Sequence, residues 1–257
     1  MSTMRVIYQP QGRAAEYGKL AGNIFHGCGH GCRYCYAPGF LHIDQDEFRK
    51  NPYPRANILE HIAKNLENED PALAGERVLL CFTCDPYQPL ESESLLTRAV
   101  IQLLHNFEHP VTILTKGGLR SQRDLDLLDE RDQYACSLVF ADEHYREKYE
   151  PGAAPTAERI AVLREAHDRG IPTWVSCEPV IFPRQTLQLI REAAPYTGMI
   201  KIGKLNHNKP GTPSYIPEAE GVDWAMFGEE AVSLCKRLGV PYYVKKDLWR
   251  CMLETGN

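Results

Sequence analysis

Short apolar runs alternate with segments of helical period along most of the chain. Six runs read as strands, at residues 23–26, 78–82, 111–115, 135–140, 173–177 and 199–202. Between and after them lie helical patterns at 58–66, 95–104, 121–128, 156–169, 186–194 and 229–238, the first with Ile58, Ile62 and Leu66 on one stripe. Ser121 with Asp124 three residues later reads as a helix start, and Gly170 and Gly239 stand just past helix ends. This is the pattern of parallel strands joined by crossover helices, and six such units fit either an open doubly wound sheet or a partial barrel. In both, the working side chains belong to loops after the C-terminal ends of strands, where strand ends and helix N-termini converge. No repeat or linker divides the sequence, and the nearest to a break, 207–221, is too short and too late to bound a second domain. A single domain over 1–257 is expected, its α/β elements running from about residue 20 to 245.

Composition narrows the class. With 43% hydrophobic and 25% charged residues in 257, the chain is an ordinary globular one, neither disordered nor fibrous. The 29 Lys and Arg against 34 Asp and Glu give a net charge of −5 with no long block of one sign. That balance argues against a main affinity for nucleic-acid backbone or anionic lipid, while leaving a local basic site open. The opening MSTMRVIYQPQGR has no apolar core of signal-peptide length, and no stretch approaches the roughly 18 apolar residues of a spanning helix, so a cytoplasmic protein without a membrane partner is expected. Nine cysteines without a secretory signal point to metal rather than to disulfides.

Three of those cysteines, Cys28, Cys32 and Cys35, fall within eight residues, on a loop with glycines at 27, 29 and 31. Thiolates are ligands for zinc and for iron–sulfur clusters. A cubane takes four ligands, so three cysteines leave one iron open to an exogenous one. A closed Cys₃His zinc site with His26 or His30 is the bland alternative, although no second C-x₂-C follows at zinc-finger spacing. Cys28-x₃-Cys32-x₂-Cys35, with Tyr34 just before the last cysteine, resembles the signature of the radical S-adenosylmethionine (SAM) superfamily. The resemblance implies a [4Fe-4S] cluster on these three residues, with SAM on the fourth iron. It implies an electron from the reduced cluster splitting SAM into methionine and a 5′-deoxyadenosyl radical that abstracts hydrogen from a substrate. It also implies a partial (β/α)6 barrel of TIM type, an α/β fold, and a reducing electron donor such as flavodoxin or ferredoxin.

Thr83-Cys84-Asp85-Pro86-Tyr87-Gln88-Pro89-Leu90-Glu91 is similar to the TDPYQPxE stretch of the branch that includes spore photoproduct lyase. Thr83 and Asp85 are acceptors suited to the SAM ammonium, and a turn capped by Asp85 is the alternative. In the same branch Lys116 corresponds to a lysine suited to the SAM carboxylate, and Ser137 would approach the ribose. Tyr34 and Glu178 complete the cofactor-binding candidates. Cys81, Cys84 and Tyr36 are the candidates for work on the substrate, but the branch's hydrogen-donor cysteine falls at Phe82 here, so that role does not carry over. Buried thiols are also ordinary small hydrophobes. Lys201, Lys204, Asn206, His207 and Lys209, with Lys245, Lys246 and Asp247, suggest one pocket for a phosphate or carboxylate. A single cluster is expected, since Cys235 and Cys251 are isolated. The substrate stays open between nucleic acid, peptide and metabolite. A non-catalytic zinc module and an Fe–S electron-transfer protein are the competing readings.

Overall fold

The computed structural model describes residues 4–206, 208–212 and 214–254. Its strands are β1 (Ile7–Tyr8), β2 (Leu20–Gly22), β3 (Phe25–His26), β4 (Tyr53–Pro54), β5 (Val78–Leu80), β6 (Val111–Thr115), β7 (Gln133–Ser137), β8 (Thr173–Val180), β9 (Ile200–Lys204) and β10 (Tyr242–Val244). Eight of them form one sheet in the order β1-β2-β5-β6-β7-β8-β9-β10. Every pairing in it is parallel except that of β1 with β2. Strands covered on both faces have no polar side to show, and Val78, Leu79 and Leu80 are all buried. Amphipathic helices supply the cover. Ile58–Glu67 buries Ile58, Ile62 and Leu66, and Leu96–Asn106 buries Val100, Ile101 and Leu104. Each such side chain contributes about 1.5–3 kcal/mol of transfer free energy.

Five of the six expected strands take their places in this sheet, Val111–Thr115 with the expected bounds and the other four with shifted ends. The first does not. The chain leaves the sheet after Gly22, and residues 25–26 instead form a small antiparallel ribbon with Tyr53–Pro54. Asn23 marks the exit: its Oδ1 accepts the N–H groups of Phe82 and Thr83, each at 2.8 Å, and its Nδ2 donates to the Tyr8 hydroxyl. A side chain that satisfies the loop after β5 cannot also continue a ladder. β7 ends at Ser137 rather than 140, and the Ser137 carbonyl is taken at 3.0 Å by Arg159 Nη1. The helix expected over 121–128 is broken into Leu119–Gln122 and a 3₁₀ turn at Leu125–Leu127. Ser121 is not its cap, because the hydroxyl bonds the Gly118 carbonyl and the Tyr134 hydroxyl inside the core. Gly170 and Gly239 do stand at the helix ends, both at positive φ.

β1 and β10 add two and three residues to the edges, too short for a periodic signal. The 3₁₀ segment Gly12–Glu16 spans the open edge: Arg13 pairs with Asp247 at 2.6 Å, and Glu16 accepts from the Tyr243 hydroxyl at 2.7 Å. Tyr17 follows it into the interior. Among the described residues no helix is long and apolar enough to cross a membrane.

Candidate active site

The cysteine loop follows β2 and the ribbon strand β3, at the C-terminal end of the sheet. Its three thiols are unpaired and half-buried. Its backbone is fastened from several sides. Cys28 N–H donates to Phe48 O, Gly29 N–H to Gln88 Oε1 at 2.7 Å, and Arg33 N–H to Tyr149 O. Arg49 Nη2 donates to the carbonyls of Cys32 and Arg33. Gly152 N–H donates to His30 O, and a Cβ on Gly152 would stand 2.1 Å from the Gly29 carbonyl, so only glycine allows this approach.

His30 is buried against the loop after β5. Its Nδ1 lies 3.4 Å from Asp85 Oδ2 and its Nε2 lies 2.9 Å from Arg120 Nη2. Arginine has only N–H groups to offer, so Nε2 accepts and Nδ1 carries the proton toward Asp85. Burial pushes His30 below its ordinary pKa, which agrees with a neutral ring. Asp85 also accepts from Tyr87 N–H, the Thr115 hydroxyl at 2.6 Å and Lys116 N–H. Burial opposes its charge, but these donors and His30 outweigh it and hold the carboxyl well below the usual carboxylate range. Asp85 thus caps its own turn and ties the loops after β5 and β6 to the cysteine loop.

Burial raises all three cysteine thiols. Asp85 and Cys32 add to the rise at Cys28, Cys32 is pushed up to about 12, and Cys35 is held back in part by the Ala37 N–H. Thiols in that state are protonated until a metal takes the proton's place. Among the described residues no three His, Cys, Asp or Glu side chains converge tightly enough for one metal ion. The donor set of three unpaired thiols on one glycine-rich loop fits a cluster that spans them.

Lys116 follows β6, with its Nζ 5.8 Å from the centroid of the Tyr34 ring. Burial works against its charge, yet its pKa is raised by Cys32 and Glu150 beside it. The Tyr34 hydroxyl donates to Glu150, and Arg159 Nη2 donates to the same carboxylate at 2.7 Å. Arg159 and Glu150 are fully buried. Glu150 and Arg159, like Arg120, Asn23 and Gly152, carried no motif signal, whereas Tyr34 and His30 were read for other roles. One signal existed: Arg159 sits with Val162, Leu163 and Ala166 on the buried stripe of its helix, where an apolar residue belongs.

Ser137 ends β7 and Thr83 follows β5, both buried, and Thr83 N–H donates to Asn23 Oδ1. Cys81 and Cys84 are buried neighbours, and burial followed by Cys84 pushes the Cys81 thiol well up. Tyr36 is exposed and donates to Phe82 O at 3.0 Å. Burial of its hydroxyl end, with Cys35, Tyr8, Glu178 and Cys84 nearby, raises its pKa. Glu178 lies within β8 rather than in a loop, accepting from the Tyr17 hydroxyl and 3.7 Å from Lys245 Nζ.

The basic segment divides where one pocket was expected. Lys204, Asn206 and Lys209 line a cavity of about 390 Å³ with Arg13, Glu220 and Trp224. Lys201 and Lys245 face the interior beside Tyr17. Asp247 is taken by Arg13, and His207 lies outside the described residues.

A family model described as the radical SAM superfamily matches residues 23–194. An uncharacterized protein of Mycobacterium bovis is 30% identical over 168 residues, covering 62% of this chain and 48% of that protein. Another, from Methanocaldococcus jannaschii, is 23% identical over 189 residues, covering 72% of this chain and 69% of that one. The chain spans about half the length of the first of these relatives. Among solved structures, spore photoproduct lyase complexed with dinucleoside spore photoproduct superposes with a TM-score of 0.67 at 16% identity, over 92% of this chain and 79% of that chain. SuiB of Streptococcus suis bound to S-adenosylmethionine gives 0.63 at 11% identity, over 89% and 51%. At such identities the likeness carries the fold, a mostly parallel sheet of the partial TIM-barrel kind.

Proposed function

The chain belongs to the radical SAM superfamily and is a radical SAM enzyme, and from that premise we propose that Cys28, Cys32 and Cys35 hold a [4Fe-4S] cluster at which SAM is reductively cleaved. When bound, the cluster and SAM supply the electron and the 5′-deoxyadenosyl radical that takes hydrogen from the substrate. The observation that carries the reading is a loop of three unpaired thiols, immobilised by backbone bonds to Phe48, Gln88, Arg49 and Gly152 and facing a lysine ammonium.

The chain's own residues divide the labour. Lys116, whose ammonium has no hydrogen bond or ion pair among the described residues, is the group for the SAM carboxylate. Thr83 and Asp85 stand on the rim for the SAM ammonium, although the Asp85 carboxylate already serves four protein donors, which supports a positioning role for it. Ser137 is the candidate for the ribose, Tyr34 for the wall beside Lys116, and Glu178 for the interior. Tyr36, Cys81 and Cys84 are the groups nearest a substrate between the cysteine loop and β8. The reading further takes the chain as one cytoplasmic core domain, fed electrons by a flavodoxin- or ferredoxin-like donor and carrying one cluster. Repair or modification of nucleic acid is one substrate class within it.

The test is anaerobic reconstitution, with iron and sulfide quantified, followed by dithionite and SAM and mass-spectrometric detection of 5′-deoxyadenosine. The product should appear and be lost in Cys28→Ala, Cys32→Ala and Cys35→Ala. Zinc without sulfide would put a structural metal module in its place, and a cluster indifferent to SAM would put electron transfer there.

A further inference from the structure

We propose that Lys201 and Lys245 form a receptor for one anionic group of the substrate, a carboxylate or a phosphate, inside the barrel. The inference rests on the radical SAM reading for its chemistry but on separate residues for its geometry. Alternation along β8 puts Trp174, Ser176 and Glu178 on one face, and the register sets Ser176 beside Lys201 on β9. Gly203, two residues on, leaves room at the centre: a Cβ there would come 2.8 Å from Glu178 Cδ and 3.0 Å from Lys245 Cγ. Side chains from β8, β9 and the segment after β10 therefore converge on one spot.

Ion pairing at that spot is incomplete. Lys245 is only 4% exposed, with its Nζ 3.7 Å from Glu178 Oε2 and 3.4 Å from the centroid of the Tyr17 ring. Lys201 Nζ stands 4.0 Å from the Trp174 ring and 4.9 Å from the Tyr17 ring, and among the described residues it has no carboxylate partner. Glu16, hydrogen-bonded to Tyr243, acts on both lysines from the edge without forming an ion pair with either, and Asp247 is paired with Arg13. Two ammoniums leaning on one phenol thus share Glu178, which already accepts from Tyr17. Burial and then Lys245 push Lys201 down to about 8. A half-buried cation without an ion-pair partner is costly, and an oxyanion bound beside it relieves that cost. Tyr36, hydrogen-bonded to Phe82 O while Phe82 stacks edge-on against Tyr17, joins this spot to the cysteine loop. A substrate anchored by its anion would then extend toward the thiols.

The experiment is competitive acetylation of the reconstituted holoenzyme with acetic anhydride, read lysine by lysine by mass spectrometry, in inorganic phosphate, in succinate and in neither. At ten times the dissociation constant, Lys201 should be protected about tenfold, by whichever anion matches, while exposed Lys19 and Lys50 are unaffected. Protection of Lys201 should disappear in Lys245→Met and persist in Lys245→Arg. Absence of protection by both anions, or equal protection of Lys19 and Lys50, overturns the receptor. Full protection in Lys245→Met overturns the pairing. 5′-Deoxyadenosine formation measured on the same preparation separates the two readings. SAM cleavage without protection sinks only the receptor, and protection without SAM cleavage sinks the radical reading.

Discussion

Replacing Arg159 with Met is expected to cost more than any change of surface charge on this chain. The guanidinium is fully buried and donates to Ala154 O at 2.8 Å, to Ser137 O at 3.0 Å and to Glu150 Oε2 at 2.7 Å. Methionine preserves most of the volume but strands the Glu150 carboxylate, leaving it the Tyr34 hydroxyl as hydrogen-bond donor and the nearby Lys116 ammonium. Removing one partner of a buried pair costs about 3–5 kcal/mol, because the remaining charge keeps its desolvation penalty. At roughly 2–4 °C per kcal/mol for a chain of this size, Tm should fall by about 6–20 °C. The penalty should also depend on pH. In the parent protein burial pushes the Glu150 carboxyl up, but Arg159 and then Lys116 outweigh it, and the pKa lies below its ordinary value. Without Arg159, burial dominates and raises it, so the variant prefers the protonated acid. The deficit is then smallest below the unfolded pKa of about 4.3. It grows as pH rises through the variant's folded pKa. Removing both charges, in Glu150→Gln with Arg159→Met, should recover much of the loss. Urea unfolding followed by far-UV circular dichroism at pH 5 and pH 8 reads the parent, Arg159→Met, Glu150→Gln and the double variant. A deficit under about 1 kcal/mol, or a double variant that costs the sum of the singles, would refute the reasoning.

Two further changes probe the site's supports. Gly152→Ala puts a methyl group against the Gly29 carbonyl and the His30 Cα, so about 1–3 kcal/mol of stability and a large share of reconstituted iron should be lost. Gly39→Ala, with nothing within 4 Å of its Cβ, should leave both unchanged, and equal iron loading in the two variants would remove Gly152 from the loop's support. Lys201→Met should be stabilising near neutral pH. A lysine drawn from 10.5 to about 8 by burial carries ~3 kcal/mol of opposition to its charge, reduced to ~1–2 kcal/mol by partial exposure and the lost ring contacts. The gain should be full below about pH 8 and vanish by about 10.5 in denaturant melts. A gain that ignores pH would mean the charge is not its source.

What was legible in the sequence was what is local. Val78–Leu80 and Val111–Thr115 announce themselves because both faces are buried, and Cys28, Cys32 and Cys35 because three ligands on one loop are read by spacing alone. The failures begin where a residue's partner lies far along the chain. Asn23 looks like part of a strand until its amide is seen holding Phe82 and Thr83, 59 and 60 residues away. Asp85 and Lys116 were found as isolated signals, but the bond from Lys116 N–H to the Asp85 carboxylate, and through it to His30, belongs to no single motif. The lysines near the C-terminus were seen as one basic run. In the fold, Lys201 and Lys204 lie three apart on a strand, so alternation sends them to opposite faces and makes two sites from one composition signal. Arg159 is the instructive case, because a charge on an apolar helical stripe is costly unless something buried requires it. Here Glu150 requires it, and through Tyr34 so does the cysteine loop. Such misplaced charges are therefore the part of a site's supporting structure that periodicity can reveal before any coordinates exist.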